Sequence, residues 1–259
     1  MRNITIYKER MAHTMTRQEK LFFLDEVDLR NYEYIIDFGG ANGKLIFEVQ
    51  QNVGFADTTK FFIVDKNPQM QSDYPLKNCQ YVRSLNELRQ HEMCGKVAII
   101  FSSVLHECSD NDIDEIANFC QEKCSLVIAR DMFFKCEDRG SFEQYERTPI
   151  LKKIRSNPFW QAMFEDVKAK GKSAKETIYE FFLKYEYVEN WATEVCEDYF
   201  SNGIEKLKNK LSGWETLVDF NYILPYKARK IKEDFGVNLT NTTHKKLILK
   251  KAALARDIT

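Results

Sequence analysis

Apolar residues in this chain fall into short continuous runs separated by stretches with helical spacing. Ile35 and Ile36 lead into Asp37, and Phe61 to Val64 form a second run. Gln80 to Val82 form a third, Val97 to Phe101 a fourth and Leu126 to Ala129 a fifth. Such runs predict strands covered on both faces, as in a parallel sheet. Between them, Leu45, Ile46 and Val49 share one helical face, and Leu85 and Leu88 mark a short helix. Ile113, Ile116 and Ala117 follow Asp110 at the same period. Pro68 bars a helix directly after the second run. The alternation predicts an α/β fold with a doubly wound, mostly parallel sheet.

The flanks read differently. Residues 1–31 form a polar helical segment whose apolar part is Leu21, Phe22, Leu24 and Val27, and Thr16 with Glu19 predicts a capping box. Such a segment lies over the sheet or closes part of a ligand cleft. From Asp131 to Trp214 no strand is evident, and 142–146, 149–154, 159–170, 174–185, 191–200 and 204–211 all read as helical. This is too long for one crossover and predicts a helical insertion. Residues 214–224 are rich in β-formers, 226–235 form a short basic helix, and 243–250 form a final strand. Lysines at the ends of that strand suit a strand at or near an edge. The expected layout is an N-terminal segment 1–31, a nucleotide-type α/β domain 32–131 with 204–259, and an insertion 132–203 that serves as acceptor or lid region.

Composition narrows the class. The net charge is −1 with 30% charged residues, ordinary for a soluble protein. The longest apolar runs fall far short of a spanning helix, and the first residues lack a long apolar core. The expectation is a cytoplasmic protein with no membrane partner. Seven cysteines without paired metal-site spacing read as free thiols. His13, His91, His106 and His244 are far apart, so no metal is expected. From Ile204 onward, 12 Lys or Arg stand against 6 Asp or Glu, whereas the preceding residues carry 26 and 33. That basic end reads as a polyanion-binding face or as a solvated surface.

The candidate chemistry sits where strands end. Gly39, Gly40 and Gly43 let backbone approach a ligand after the first strand. They do not match G-x-G-x-x-G, because Ala41 stands third. Asp65 ends the second strand and reads as a ribose ligand, or as the cap of the turn before Asn67 and Pro68. Asp37 reads as an acceptor for a ligand amine or as a support for the loop amides; loop support is its first role, with ligand contact through water. Ser102 and Ser103 follow the fourth strand and offer backbone and hydroxyl contacts. His106 reads as a general base with Glu107 orienting its ring, or as a hydrogen-bonding residue of the fold. At the end of the fifth strand, Arg130 is a candidate for a carboxylate or phosphate and Asp131 for orienting substrate. A salt bridge closing the strand is the other reading. Tyr185 and Trp191 read as stacking surfaces for a planar substrate or as core of the insertion. No G-x-S-x-G elbow is present.

Together these motifs resemble the class I, Rossmann-like S-adenosylmethionine-dependent methyltransferases. Asp37-Phe38-Gly39-Gly40-Ala41-Asn42-Gly43 is similar to the family's acid-x-G-x-G-x-G motif, with the middle glycine displaced to Gly40. Asp65 matches its ribose-holding acid, Arg83 and Ser84 fall beside the adenine, and Ser102 to Glu107 resemble the fourth-strand motif. The resemblance implies a seven-stranded sheet of order 3-2-1-4-5-7-6, its last strand antiparallel between the fifth and sixth. It implies S-adenosyl-L-methionine as cofactor, held by Asp37, the Gly39–Gly43 loop, Asp65, Lys66, Arg83, Ser84, Ser102 and Ser103. It also implies direct, metal-free methyl transfer governed by alignment, with His106 as first candidate base. The acceptor is a small molecule or RNA, and the insertion offers a surface for self-association. Two rivals stand beside it. One is a nicotinamide oxidoreductase, which the glycine spacing and the lack of a Tyr-x-x-x-Lys disfavour. The other is a non-catalytic cofactor- or RNA-binding protein.

Overall fold

The computed structural model describes residues 13–67, 74–136, 140–146 and 148–252. Pro68, the first twelve residues of the N-terminal segment and the last seven of the chain lie outside them. Seven strands form one sheet: β1 Tyr34–Phe38, β2 Lys60–Val64, β3 Cys79–Val82, β4 Val97–Ser102, β5 Leu126–Met132, β6 Glu215–Tyr222 and β7 His244–Lys250. Their order is β3-β2-β1-β4-β5-β7-β6. The final strand is therefore internal, one place from the edge strand β6, which agrees with lysines that suit a strand at or near an edge.

The first five strands pair in parallel. Phe38 is level with Val64 on one side and Phe101 on the other. Val64 is level with Val82, and Ser102 with Arg130. The next residue of each strand, Gly39, Asp65 and Arg83, therefore emerges at the level of Ser102 and Arg130. Parallel strands buried on both faces explain the continuous apolar runs: Ile35, Ile36, Ile99, Phe101 and Val127 are fully buried.

The chain divides into two compact units. One holds residues 14–131, Gly203–Phe220 and the described residues from Lys246 onward. Its helices are α1 Lys44–Asn52, α2 Leu85–Arg89, α3 Asp110–Lys123 and α9 Gly203–Lys210. Ser109 and Asp112 form a reciprocal capping box on α3. Among the described residues of the N-terminal segment, 15–31 are not the helix their polarity pattern predicts. Residues 15–31 run as turns with two 3-10 stretches, Phe22–Asp25 and Leu29–Asn31, and Leu21, Phe22, Phe23 and Leu29 anchor it in the core beside Leu45, Ile46 and Val49. Thr16 caps no helix. Its carbonyl accepts from the Glu19 and Leu21 amides, and the Glu19 side chain goes elsewhere.

The other unit holds Met132–Asn202 and Asn221–Lys245. It contains α4 Phe142–Glu146, α5 Pro149–Ser156, α6 Pro158–Lys168, α7 Ala174–Lys184, α8 Trp191–Glu194 and α10 Pro225–Phe235. Only four residues of the helix expected over 191–200 are helical. Its core joins Phe181 and Phe182 of α7 to Ile231 and Phe235 of α10, and reaches Leu239. The boundary expected at 203/204 thus omits residues 221–245 from the helical unit. Glu180 and Lys184 are fully buried within it. The Glu180 carboxylate receives Lys170 at 2.8 Å, Lys172 at 2.7 Å and Lys184 at 2.7 Å. Among the described residues, no helix is long and apolar enough to cross a membrane.

Candidate active site

The glycine loop leaves β1 through three left-handed residues: Gly39 at φ +71°, Ala41 at φ +45° and Gly43 at φ +74°. They occupy the three glycine positions of the acid-x-G-x-G-x-G pattern. Gly40 does not take over the middle position; Ala41 holds the left-handed conformation itself, at a steric cost that a glycine would not incur. Gly40 meets a different demand. A Cβ there would lie 2.5 Å from Asp37 Oδ2, and one on Gly39 would lie 2.4 Å from Val104 Cγ2.

Asp65 braces this loop. Its Oδ2 accepts the Ala41 amide at 2.9 Å and its Oδ1 accepts the Asn67 amide at 2.9 Å. The turn-capping reading is thus realised, while each oxygen keeps a second lone pair for a ligand hydroxyl. Asn42 Oδ1 accepts the Lys44 amide at the start of α1. Lys66 is exposed. Arg83 and Ser84 serve the start of α2: Glu87 Oε2 accepts the Arg83 amide at 2.7 Å, and Ser84 Oγ accepts the Glu87 amide at 3.2 Å.

Asp37 is buried, and among the described residues its Oδ2 has no hydrogen-bond partner. Burial pushes its carboxyl up to about 7; Lys20 acts against this and Asp65 adds to it. The Ser102 hydroxyl is likewise buried without a partner among the described residues. Two orphaned polar atoms at the ends of adjacent strands are unusual in a finished core and mark a place for a polar ligand.

His106 and Asp131 form the second part of the site. Asp131 Oδ1 lies 2.7 Å from His106 Nδ1, and Oδ2 accepts the Val104 and His106 amides at 3.2 and 3.1 Å. Asp131 is 1% exposed. It therefore orients the imidazole and the turn that carries it. The sequence assigned that task to Glu107 and gave Asp131 to the substrate; Glu107 Oε1 is instead 3.9 Å from Nε2 on a half-exposed side chain. A carboxylate at Nδ1 fixes the proton there and leaves the lone pair on Nε2.

Arg130 is also redirected. It is 3% exposed, donates to Ser103 Oγ at 2.8 Å and pairs with Glu19 Oε2 at 3.2 Å. Glu19 goes unmarked in the sequence as the partner of Arg130, because nothing local marks a partner more than a hundred residues away. Tyr185 is buried in the helical unit, with its hydroxyl on Asp234 at 2.6 Å and its ring against Phe235 at 5.0 Å. No face is left for a planar substrate. Trp191 donates from Nε1 to Asp166 at 2.7 Å beside the exposed Phe159.

By sequence, neither a protein-family model nor a curated protein matches the chain. By shape, solved structures of methyltransferases align over most of it. Human N-acetylserotonin methyltransferase in complex with S-adenosylmethionine aligns over 89% of this chain and 50% of its own, with 11% identity and a TM-score of 0.43. The plantazolicin methyltransferase BamL, in complex with a triazolic desmethylPZN analog and S-adenosylhomocysteine, covers 85% and 78%, with 10% identity and a TM-score of 0.45. The methyltransferase domain of bacterial CtHen1 covers 92% and 100%, with 11% identity and a TM-score of 0.43. The chain spans about half the length of the human enzyme. The strand order is the one that the resemblance to the class I methyltransferases implies, and the fold is a Rossmann-like α/β fold on a seven-stranded sheet.

Proposed function

We propose that this protein is an S-adenosylmethionine-dependent methyltransferase acting on a small molecule. The observation that carries the reading is the orphaned pair, Asp37 Oδ2 and Ser102 Oγ, beside Asp65 at the ends of three adjacent parallel strands. Ligands of doubly wound sheets bind at such strand ends. The residues fit the cofactor: an acid at β2 for ribose hydroxyls, a buried acid at β1 for a ligand ammonium, and a loop with little side chain between them. When bound, the cofactor supplies an electrophilic methyl group on a sulfonium. The chain supplies alignment and a proton acceptor. His106, held at Nδ1 by Asp131, takes a proton at Nε2 from an oxygen or nitrogen nucleophile.

A small-molecule acceptor is favoured over RNA by the state of the basic C-terminal residues. Lys206 pairs with Asp110, Lys208 with Asp219, Lys210 with Asp114, Lys227 with Glu186 and Lys230 with Asp234. Charges already paired contribute little to polyanion binding. The decisive experiment is calorimetric titration with S-adenosylhomocysteine of the wild type, Asp65→Asn and Asp65→Ala. Binding that both variants leave undiminished overturns the ribose assignment. A methyl-transfer screen against small metabolites and total RNA then separates turnover from binding; methylation of RNA alone overturns the acceptor class.

A further inference from the structure

Strand β6 ends the sheet, and among the described residues no further strand pairs with its outer edge. Its eight residues, Glu215–Tyr222, include no proline, glycine or lysine, the residues that commonly blunt such an edge. Its central charge, Asp219, is met by Lys208 of α9. Successive side chains of a strand point to opposite faces, so Thr216, Val218 and Phe220 share one face and Leu217 and Asp219 the other. Val218 is half-buried against the core that holds Ile248. Phe220 is 57% exposed and Leu217 is 40% exposed. Large apolar side chains are therefore open to water on both faces of one strand. A ligand or helix lying on the sheet covers one face only, whereas a strand added to the edge brings side chains against both.

We propose that the added strand is β6 of a second copy of this chain, paired antiparallel across a two-fold axis so that two sheets become one. The pattern of β6 is self-complementary in that arrangement. A two-fold axis normal to the sheet keeps like faces together, so each residue meets one of its own face. With the axis at Val218, Val218 meets Val218 of the second copy, and Thr216 meets Phe220. Leu217 meets Asp219, whose charge Lys208 already balances. No like charges oppose one another. With the axis one residue further on, Asp219 would face Asp219, which like-charge repulsion disfavours. The register centred on Val218 is therefore the one the sequence supports, and it covers Phe220 and Leu217 together.

The test is sedimentation velocity over a range of micromolar concentrations on three full-length proteins: wild type, Thr216→Lys with Phe220→Lys, and Thr216→Glu with Phe220→Lys. Both positions are exposed, so the substitutions spare the core, and thermal unfolding of each variant checks that it is folded. Wild type is expected to be a dimer. The double-lysine variant places lysine opposite lysine twice across the axis and should dissociate about tenfold or more readily. The glutamate–lysine variant carries the same two altered positions but places opposite charges across the axis, and it should recover most of the lost association. A wild type that stays monomeric over the whole range overturns the proposal, as does equal association of all three proteins. A glutamate–lysine variant that dissociates as readily as the double-lysine one overturns the antiparallel pairing centred on Val218.

Discussion

Asp131 accepts three hydrogen bonds from one short turn: the Val104 amide, the His106 amide and His106 Nδ1. One buried carboxylate thus fixes both the path of the chain after β4 and the tautomer of the imidazole. Asp131→Ala strands these donors and should lower stability by about 2–4 kcal/mol, measured by thermal or urea unfolding. Asp131→Asn keeps the shape but cannot accept everywhere the carboxylate does. It should reduce methyl transfer far more than it reduces stability. His106→Gln should lower turnover by about a hundredfold or more with little change in cofactor affinity. Unchanged turnover removes the base assignment.

The carboxyl of Asp37 supplies a pH dependence. Burial raises it to about 7, with Asp65 adding and Lys20 opposing. The sign is that of a carboxyl whose folded value exceeds its unfolded one: folding is relatively favoured at low pH, and that advantage fades as pH rises from about 4 through about 7. A ligand carrying an ammonium needs the ionised form. Affinity for S-adenosylhomocysteine should therefore rise with pH up to about 7 and then level off, with proton release on binding below that point. Titrations in buffers of different ionisation enthalpy measure the release, and Asp37→Asn should abolish it.

The loop makes opposite predictions for two single-methyl changes. Ala41→Gly relaxes a left-handed alanine at φ +45° and should be neutral or stabilising by up to about 1 kcal/mol, since the gain is offset by a more flexible unfolded chain. Gly39→Ala places a Cβ 2.4 Å from Val104 Cγ2 in a left-handed residue and should destabilise by at least about 2 kcal/mol. Differential scanning calorimetry of the pair checks both signs.

Acid should weaken the helical unit through Glu180. Burial opposes its ionisation, but Lys184 and Lys172 overcome that and hold the carboxyl at about 2. The folded value lies below the unfolded one, so the stabilisation is present above about 4.5 and is lost as pH falls toward 2. Its full size is about 3 kcal/mol. Lys184 moves down to about 8, driven by burial and by the neighbouring Lys170, because one carboxylate serves three ammonium groups. Glu180→Gln should flatten the acid limb of stability measured by urea unfolding between pH 5 and 2 and leave the buried Lys184 poorly matched.

The sequence made the sheet legible because strands covered on both faces cannot hide polar residues; Val97 to Phe101 and Leu126 to Ala129 could be little else. The helices over 149–184 were legible from buried faces that recur at helical spacing. Thr16 and Glu19 show the opposite case. Their spacing fits a helix cap, but Arg130 offers Glu19 a buried partner, and a tertiary ion pair overrode the local rule. The roles of Asp131 and Glu107 were exchanged because adjacency in sequence favoured Glu107, whereas parallel pairing of β4 and β5 brought Asp131 under the imidazole. At Ala41 the pattern read as a displaced glycine, yet the backbone kept its left-handed turn and accepted the alanine.

The split makeup of the helical unit bears on how such a protein can be cut or recombined. Ile231, Phe235 and Leu239 share a core with Phe181 and Phe182, although about fifty residues separate them along the chain. Excising 132–202 as a cassette would expose those partners, and grafting it elsewhere would leave it without a floor. Repacking this core requires both stretches to change together, so the helical unit behaves as a matched pair of segments rather than as a removable insert.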